Sequence, residues 1–451
     1  MASTYLSRTL GTPTLATKAT CSMWFKLAEP TGQNTLIASA GNAGAFYLHS
    51  NSTLRIYNVD SSALTTNRVF RDTSAWYHLV VAIDTTQGTA SNRIKVYING
   101  IQETSFSAAS YPNQNSASAL GNATAHFVGS NTGPANYFNG YMNNVVFVDG
   151  TALTPSSFGE TDSTSGIWKF KPPSGITFGN NGFHLKMDNS ANLGLDSSGE
   201  TNNFTLSGNG RQAKDTPTNV YATLNPLVTY GTNQNALSEG NNTLTGISVH
   251  RPSPPTISVN KGKWYFEAKA LSGSATKWWI GLCDTEYDVL NQGTVSSGNN
   301  YLWGYDGTSN AVNQRSQLIY QNNLRDGGSN IAISNIFSAG AIAVNDIYAM
   351  AVDLDNQKVW YSKNGVWNNG SGGESTTFNA SYPDSTNIDA GRDYLIGIGG
   401  ENSKMSVNYG NGYFGTTAIS SAGSNGNGSL FEFDVPSGYY ALNTKNINTY
   451  G

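Results

Sequence analysis

The sequence predicts an all-β protein made of two antiparallel β-sandwiches joined by an extended connector. Composition is the first ground. Asp, Glu, Lys and Arg make up 12% of the 451 residues, Gly numbers 49, and Asn, Ser and Thr recur throughout. These small polar residues loosen helical backbone and favour turns. Periodicity is the second ground: short apolar runs alternate with Gly/Asn/Ser turns, and no α-helix is predicted anywhere. The third is a hairpin that occurs twice, in AVDLDNQKVWYSKNGVW (351–367) and VVAIDTTQGTASNRIKVYINGIQ (80–102). In both, an apolar run breaks at an Asp, a strand carrying a basic residue returns, and Asn-Gly reverses the chain again. Asn-Gly suits tight hairpins because both residues tolerate positive φ. Counting back from Asn-Gly, Val96 matches Tyr361, Ile94 matches Val359, and Lys95 matches Trp360. Alternate strand residues face opposite ways. The first two pairs therefore point into a core, while Lys95 and Trp360 point away from it.

Residues 1–165 form the first predicted sandwich. Cys21–Leu27 and Thr35–Ser39 are early strands. Phe46–His49 and Leu54–Tyr57 suit a hairpin around Ser50-Asn51-Ser52. Trp76–Ile83 and Arg93–Ile98 are the first copy of the repeated hairpin, and His126–Gly129 and Tyr141–Val148 are late strands. Ile94, Val96 and Ile98 alternate with Arg93, Lys95 and Tyr97, the pattern of a sheet with one wet face. The motifs SMWFKLA, AWYHLVVAIDTT, RIKVYINGIQ and FVGS with YFNGYMNNVVFVDGTALTP, in that order, resemble a concanavalin A-like (laminin G-like) jelly roll. The version they resemble most is common in tailed-phage virion proteins. The likeness covers roughly the first third of the chain.

Residues 166–227 are expected to be an extended connector able to donate strands to either neighbour. Trp168–Pro173 is charged and ends in proline. Phe183–Met187 and Asn202–Leu206 suit short strands, and Pro217 and Pro226 favour extended chain. Residues 228–451 are the second predicted sandwich. Its strands are KGKWYFEAK (261–269), KWWIGLCD (277–284), YLWGYDG (301–307), YAMAVDLD (348–355), KVWYSKNG (358–365), YLIGIGG (394–400) and KMSVNYG (404–410). Their order resembles the SPRY (B30.2-like) domain of interaction modules. The tail FEFDVPSGYYALNT (431–444) resembles the ending of phage proteins that carry this module.

Enzymatic chemistry finds little support in these residues. Glycosidases need two carboxylates about 5–9 Å apart, and the E-x-D-x-x-E strand of glucanases with the concanavalin A-like fold is absent. Asp284-Thr285-Glu286-Tyr287-Asp288 is the nearest approach and is read as a polar loop. No Ser lies in a G-x-S-x-G context, and the five His show no metal-ligand spacing. No catalytic residue is therefore expected. Laminin G-like domains recurrently hold calcium, so the resemblance allows a structural calcium ion that the sequence does not place. Asp188-x-Ser190-x-Asn192 fails the EF-hand pattern. Asp84, Asp149, Asp353 and Asp355 are read as turn residues. Cys21 and Cys283 are expected to be reduced core thiols.

Aromatic residues remain as candidate glycan or partner contacts: Trp279, Trp303, Tyr305, Trp360, Trp367 and Tyr287. Trp278 and Trp279 are adjacent in one strand, so one must leave the core unless both sheet faces are covered. In SPRY modules partners bind loops at one end of the sandwich, which here implicates 284–300, 304–330 and 367–392. The net charge of −4 and the lack of a basic run argue against nucleic acid. No run approaches the about 20 apolar residues of a membrane span. The resemblances imply a virion structural protein (a fibre, tail-associated adhesin or capsid decoration) made in the host cytoplasm and exposed on the particle. It would bind host cell-surface glycans and other virion proteins as a homo-oligomer, with a trimer as one form. The alternatives are a purely structural cementing protein and a polysaccharide depolymerase spike.

Overall fold

The computed structural model describes residues 3–58, 62–228, 234–248, 251–274, 277–285, 316–320, 323–326, 329–332, 343–370, 373–386 and 388–451. It is nearly all β, as the sequence predicts. The chain forms two compact units, one of residues 1–212 with 216–218, the other of 213–215 with 219–451. The segment expected to be a connector is therefore divided between them. Phe183–Leu185 pairs with Gly140–Asp149, and Thr205–Ser207 pairs with Tyr5–Thr9, so both strands complete sheets of the first unit. Further along, Tyr221, Ala222 and Leu224 are buried in the second unit's clusters. The boundary lies near 212, because the apolar residues of 183–204 have their partners in the first core.

Among the described residues the first unit has an eight-stranded sheet in the order 106–110, 63–69, 53–57, 45–48, 34–39, 125–128, 5–9 and 205–207. Facing it is a six-stranded sheet in the order 183–185, 140–149, 18–27, 77–84, 94–98 and 101–103. The core between them takes alternate residues from each strand. Cys21, Met23, Phe25 and Leu27 meet Leu79, Val81 and Ile83 in one sheet, and Phe46, Leu48, Leu54 and Ile56 project from the other. Burial of a large apolar side chain contributes roughly 1.5–3 kcal/mol.

The second unit repeats the plan. One sheet runs in the order 236–238, 243–245, 404–408, 263–272, 347–353, 358–363, 366–368 and 374–375, with Tyr440–Ala441 added in parallel beside Lys263–Ser272. The other has the order 251–253, 394–400, 278–284, 316–320, 323–326 and 329–332. Trp264, Phe266, Trp278, Ile280, Val359 and Tyr361 fill the space between. One helix was not predicted: Thr444–Tyr450 is helical, and Asn443 caps it by accepting from the Asn446 N–H at 2.9 Å. This capping is what favours Asn at a helix start.

The repeated hairpin is the same in both units. Ala82 lies opposite Lys95 and Ala351 opposite Trp360. Asn99 has φ 49° and Asn364 φ 51°; the glycines that follow have φ 81° and 79°. Each Asn side chain accepts from the first strand, at His78 N in one unit and Ile347 N in the other. A second shared feature lies on the outer face. A Cβ on Gly100 would come 2.5 Å from the Trp168 ring, and one on Gly365 would come 2.6 Å from the Phe433 ring. In each unit a later stretch of chain crosses the outer face of the hairpin sheet and rests an aromatic ring on the turn glycine.

Candidate functional site

Trp360, Trp367 and Trp279 are buried, with exposures of 2%, 4% and 0%, which corrects the expectation that they contact a ligand at the surface. Trp360 does point away from the main core, as its match to Lys95 requires. However, residues 431–441 cover that face. Trp360, Trp367, Tyr265, Phe431, Val435 and Tyr439 form a second cluster with Phe378, whose ring lies 5.3 Å from Trp360 and 5.0 Å from Trp367. Both members of the Trp278-Trp279 pair are buried: Trp278 joins the main core, and Trp279 lies flat on Gly399 on the other face. Tyr287, Trp303 and Tyr305 lie outside the described residues. Of the loops expected to bind partners, 367–392 is partly bound into the sheet edge. Asp384 accepts from Tyr361 N at 2.7 Å and from Asn368 Nδ2 at 2.8 Å, and burial raises its carboxyl to about 6.

Several described acidic residues serve structure, while Glu286 and Asp288 lie outside the described residues. Asp284 is 1% exposed and pairs with Arg392 at 3.0 Å. Asp84 accepts from Thr86 in its own turn, and Asp353 from Asn356. Asp149 instead reaches across the chain to Thr14 N, and Asp355 to Gly262 N. Asp188, Ser190 and Asn192 are exposed, and among the described residues no group of His, Cys, Asp and Glu could hold a metal ion. Ser22 and His78 stand 2.9 Å apart, but in the wrong polarity for a nucleophile and base. Trp168 Nε1–H donates to His78 Nδ1 at 2.9 Å. That leaves the proton on Nε2, which donates to Ser22 Oγ. Burial lowers the imidazole to about 3, so it stays neutral between Trp24 and Trp168.

Three residues missed in the sequence hold the covers in place. Trp168 and His78 do so in the first unit. In the second, Glu267 accepts from Glu432 N and Phe433 N at 2.9 Å, Tyr265 OH at 3.0 Å and Asn408 Nδ2 at 3.3 Å. Burial raises Glu267 to about 7 despite these four donors. The W-Y-F-E alternation already places Glu267 on the face of Tyr265, opposite Trp264 and Phe266. Its backbone partners, Glu432 and Phe433, lie 165 and 166 residues away, where local pattern cannot reach.

The outer face of the eight-stranded sheet carries the more accessible aromatic cluster. Phe46, Leu48, Leu54 and Ile56 face the core, so Tyr47, Arg55 and Tyr57 face outward, and all three are half-buried. Their strands are in register: Thr35 lies opposite Tyr47, Tyr47 opposite Arg55, and Arg55 opposite Thr65. Directly opposed side chains lie about 5 Å apart at Cβ. The Arg55 guanidinium sits 6.0 Å from the Tyr57 ring centre, and His49 packs edge-on to Tyr47 at 5.0 Å. Partial burial first, and the Arg55 charge second, lower the His49 imidazole below its ordinary 6.5. Two tyrosine rings, a cation and hydroxyls thus share one face, and the F-Y-L-H and L-R-I-Y alternation was the sequence signal for it.

Residues 3–157 match the model of the concanavalin A-like lectin/glucanases superfamily, and residues 263–383 match the SPRY domain. No curated protein matches the chain in sequence. Among solved structures, a candidate carbohydrate-binding protein from Bacteroides ovatus is 15% identical, with a TM-score of 0.30, over 46% of this chain and 57% of its own. The chain thus spans little more than half of that protein. The SAP-like pentraxin of Limulus polyphemus is 19% identical over 39% of this chain and 82% of its own, with a TM-score of 0.27. The SPRY domain of human HERC1 is 14% identical over 38% and 91%, with a TM-score of 0.24. Residues 3–157 thus carry a concanavalin A-like domain and residues 263–383 a SPRY domain.

Proposed function

We propose that the protein is a non-catalytic attachment protein of a tailed-phage particle, which binds glycans of the host surface through its first unit. The observation that carries this reading is the half-buried Tyr47–Arg55–Tyr57 row on the outer face of a lectin-type sandwich. Sugar rings stack on aromatic faces while polar groups fix their hydroxyls. The virion setting is supported by the resemblance of both domains and of 431–444 to phage modules. Attachment through several copies would multiply weak sugar contacts, and light scattering on the purified protein measures the oligomer. A glycan array probed with the intact protein tests the reading. Binding to host-derived glycans is expected, with loss of at least ten-fold on Tyr47→Ala. No binding to any such glycan overturns it. Trp279→Ala and Trp360→Ala are unsuitable probes, because both remove core.

A second reading, cementing between virion proteins, is favoured by one observation. Ile101 and Ile167 are 69% and 66% exposed and flank the contact of Trp168 with Gly100. Immunogold labelling of particles separates the two readings: label on the tail supports attachment, and label across the head supports cementing.

A further inference from the structure

We propose that the open face of the eight-stranded sheet recognises an acidic sugar, with the sugar carboxylate held by Arg55 and the ring stacked on Tyr47 or Tyr57. The inference rests on the glycan-binding reading and narrows it to a ligand class. Arg55 is the main observation. Among the described residues it has no carboxylate partner, its Nε–H is out of contact with solvent and makes no hydrogen bond, and its recorded contact is the face of Tyr57. A guanidinium donor withdrawn from water without an acceptor is costly. A planar carboxylate fits the two terminal nitrogens of the guanidinium with two parallel bonds.

The surroundings agree. Arg55 lies directly opposite Tyr47 on one side and Thr65 on the other, so an anion held by Arg55 has hydroxyl and ring neighbours in the same row. At the end of the row Thr35 is fully buried, and its hydroxyl also has no hydrogen-bond partner among the described residues. Elsewhere in the first unit several basic side chains have partners. Arg68 pairs with Glu103, Lys18 with Asp84, and Lys169 with Asp162, while Arg93 donates to the backbone at 87, 88 and 112. The outer face of the six-stranded sheet also sets a cation over a ring, Lys26 at 5.5 Å from the Tyr141 centre, but Lys26 is 1% exposed, and Phe158, Leu153 and Trp168 lie across that face.

Isothermal titration of the intact protein with α-1,4-trigalacturonate and with its carboxyl-reduced counterpart, trigalactose, tests this. The expected result is at least ten-fold tighter binding of trigalacturonate, weakening with added salt. Arg55→Gln should erase the preference while leaving trigalactose binding intact, and Arg55→Lys should retain only part of it. Equal affinity of the wild-type protein for the two probes, or a preference that survives Arg55→Gln, overturns the inference and leaves the glycan reading standing. Binding of neither probe also overturns it, and the glycan array then judges the wider reading separately. Circular dichroism of both variants checks that the half-buried substitution leaves the sandwich folded.

Discussion

Lys95 and Trp360 occupy the same position in two copies of one hairpin, yet they have different surroundings. Each follows the same Asp break, lies opposite an alanine, and precedes an Asn-Gly turn whose glycine supports an aromatic ring. In the first unit the covering chain brings Phe158, Leu153, Ile176 and Phe178 onto Val80, Val146 and Val148, and Lys95 stays half-buried beside them. In the second, residues 431–441 bring Phe431, Val435 and Tyr439 onto Trp360, and no part of the ring system reaches solvent to any extent that a ligand could use. The difference teaches that alternation fixes which face of a sheet a residue takes, whereas a distant segment fixes whether that face is wet. It also shows that the covers are anchored by different chemistry. A neutral histidine between two tryptophans holds the first, and a buried carboxyl bonded to backbone N–H groups holds the second.

The largest effect should come from the equivalent pair itself. Trp360→Ala is expected to destabilise the second unit by about 3–5 kcal/mol, the usual cost of emptying a large aromatic site. Lys95→Ala should stay within about 0.5 kcal/mol, as is common for surface sites. Urea unfolding of the two variants measures both, and a loss below about 1 kcal/mol for Trp360→Ala would break the comparison.

The next effect is a pH response of opposite sign in the two units. In the first, burial holds His78 at about 3 and His126 and His184 at about 4. Folded pKa values below the ordinary 6.5 give stability that is present above pH 6.5 and lost as pH falls. In the second, Glu267 at about 7 and Asp384 at about 6 lie above their ordinary 4.5 and 3.8. Their contribution is full below those ordinary values and is lost as pH rises through 6 to 7. Between pH 5 and pH 8 the two units should shift by several kcal/mol in opposite directions, the first gaining stability and the second losing it. Calorimetry with hydrogen exchange to locate each transition reads this. Glu267→Gln should flatten the second unit's response and leave one backbone N–H without its acceptor, at about 1–3 kcal/mol. Parallel movement of both transitions would contradict the assignment.

The smallest expected effect is at the turns. Gly100→Ala and Gly365→Ala place a Cβ against Trp168 and Phe433 at a positive φ, which alone costs an L-residue about 1–2 kcal/mol. Each should also admit protease sooner within its own cover, at 150–180 or 430–441. Wild-type cleavage kinetics in either variant would mean that the ring does not depend on the turn.

Much of this was legible locally. Tyr394–Gly400 is a strand over the very residues predicted, both Asn-Gly turns have the expected positive φ, and Cys21 and Cys283 are buried free thiols. The face of each strand residue followed from its alternation, including that of Tyr47, Arg55 and Tyr57. The helix Thr444–Tyr450 escaped because a seven-residue segment capped by Asn443 looks like turn sequence. From sequence, the connector is expected to donate strands to either neighbour; Phe183, Leu185 and Phe204 show their apolar character in the sequence, but only the structure shows that the first core receives them.

Sequence alone determined the all-β class, the two sandwiches, the duplicated hairpin and the facing of its residues, because a period of two and the stereochemistry of Asn-Gly act within a few residues. Tertiary structure decided which outer faces are closed. That depends on segments such as 153–178 and 431–441 returning across a sheet, and on single anchors such as Trp168 Nε1 to His78 Nδ1 and Glu267 to the N–H groups of Glu432 and Phe433. Such contacts join residues from 90 to 166 positions apart. Their free energy comes from burial of the whole face, which no local pattern encodes. The same long-range closure turned Trp360 into core and left the Tyr47–Arg55–Tyr57 row as the face to test.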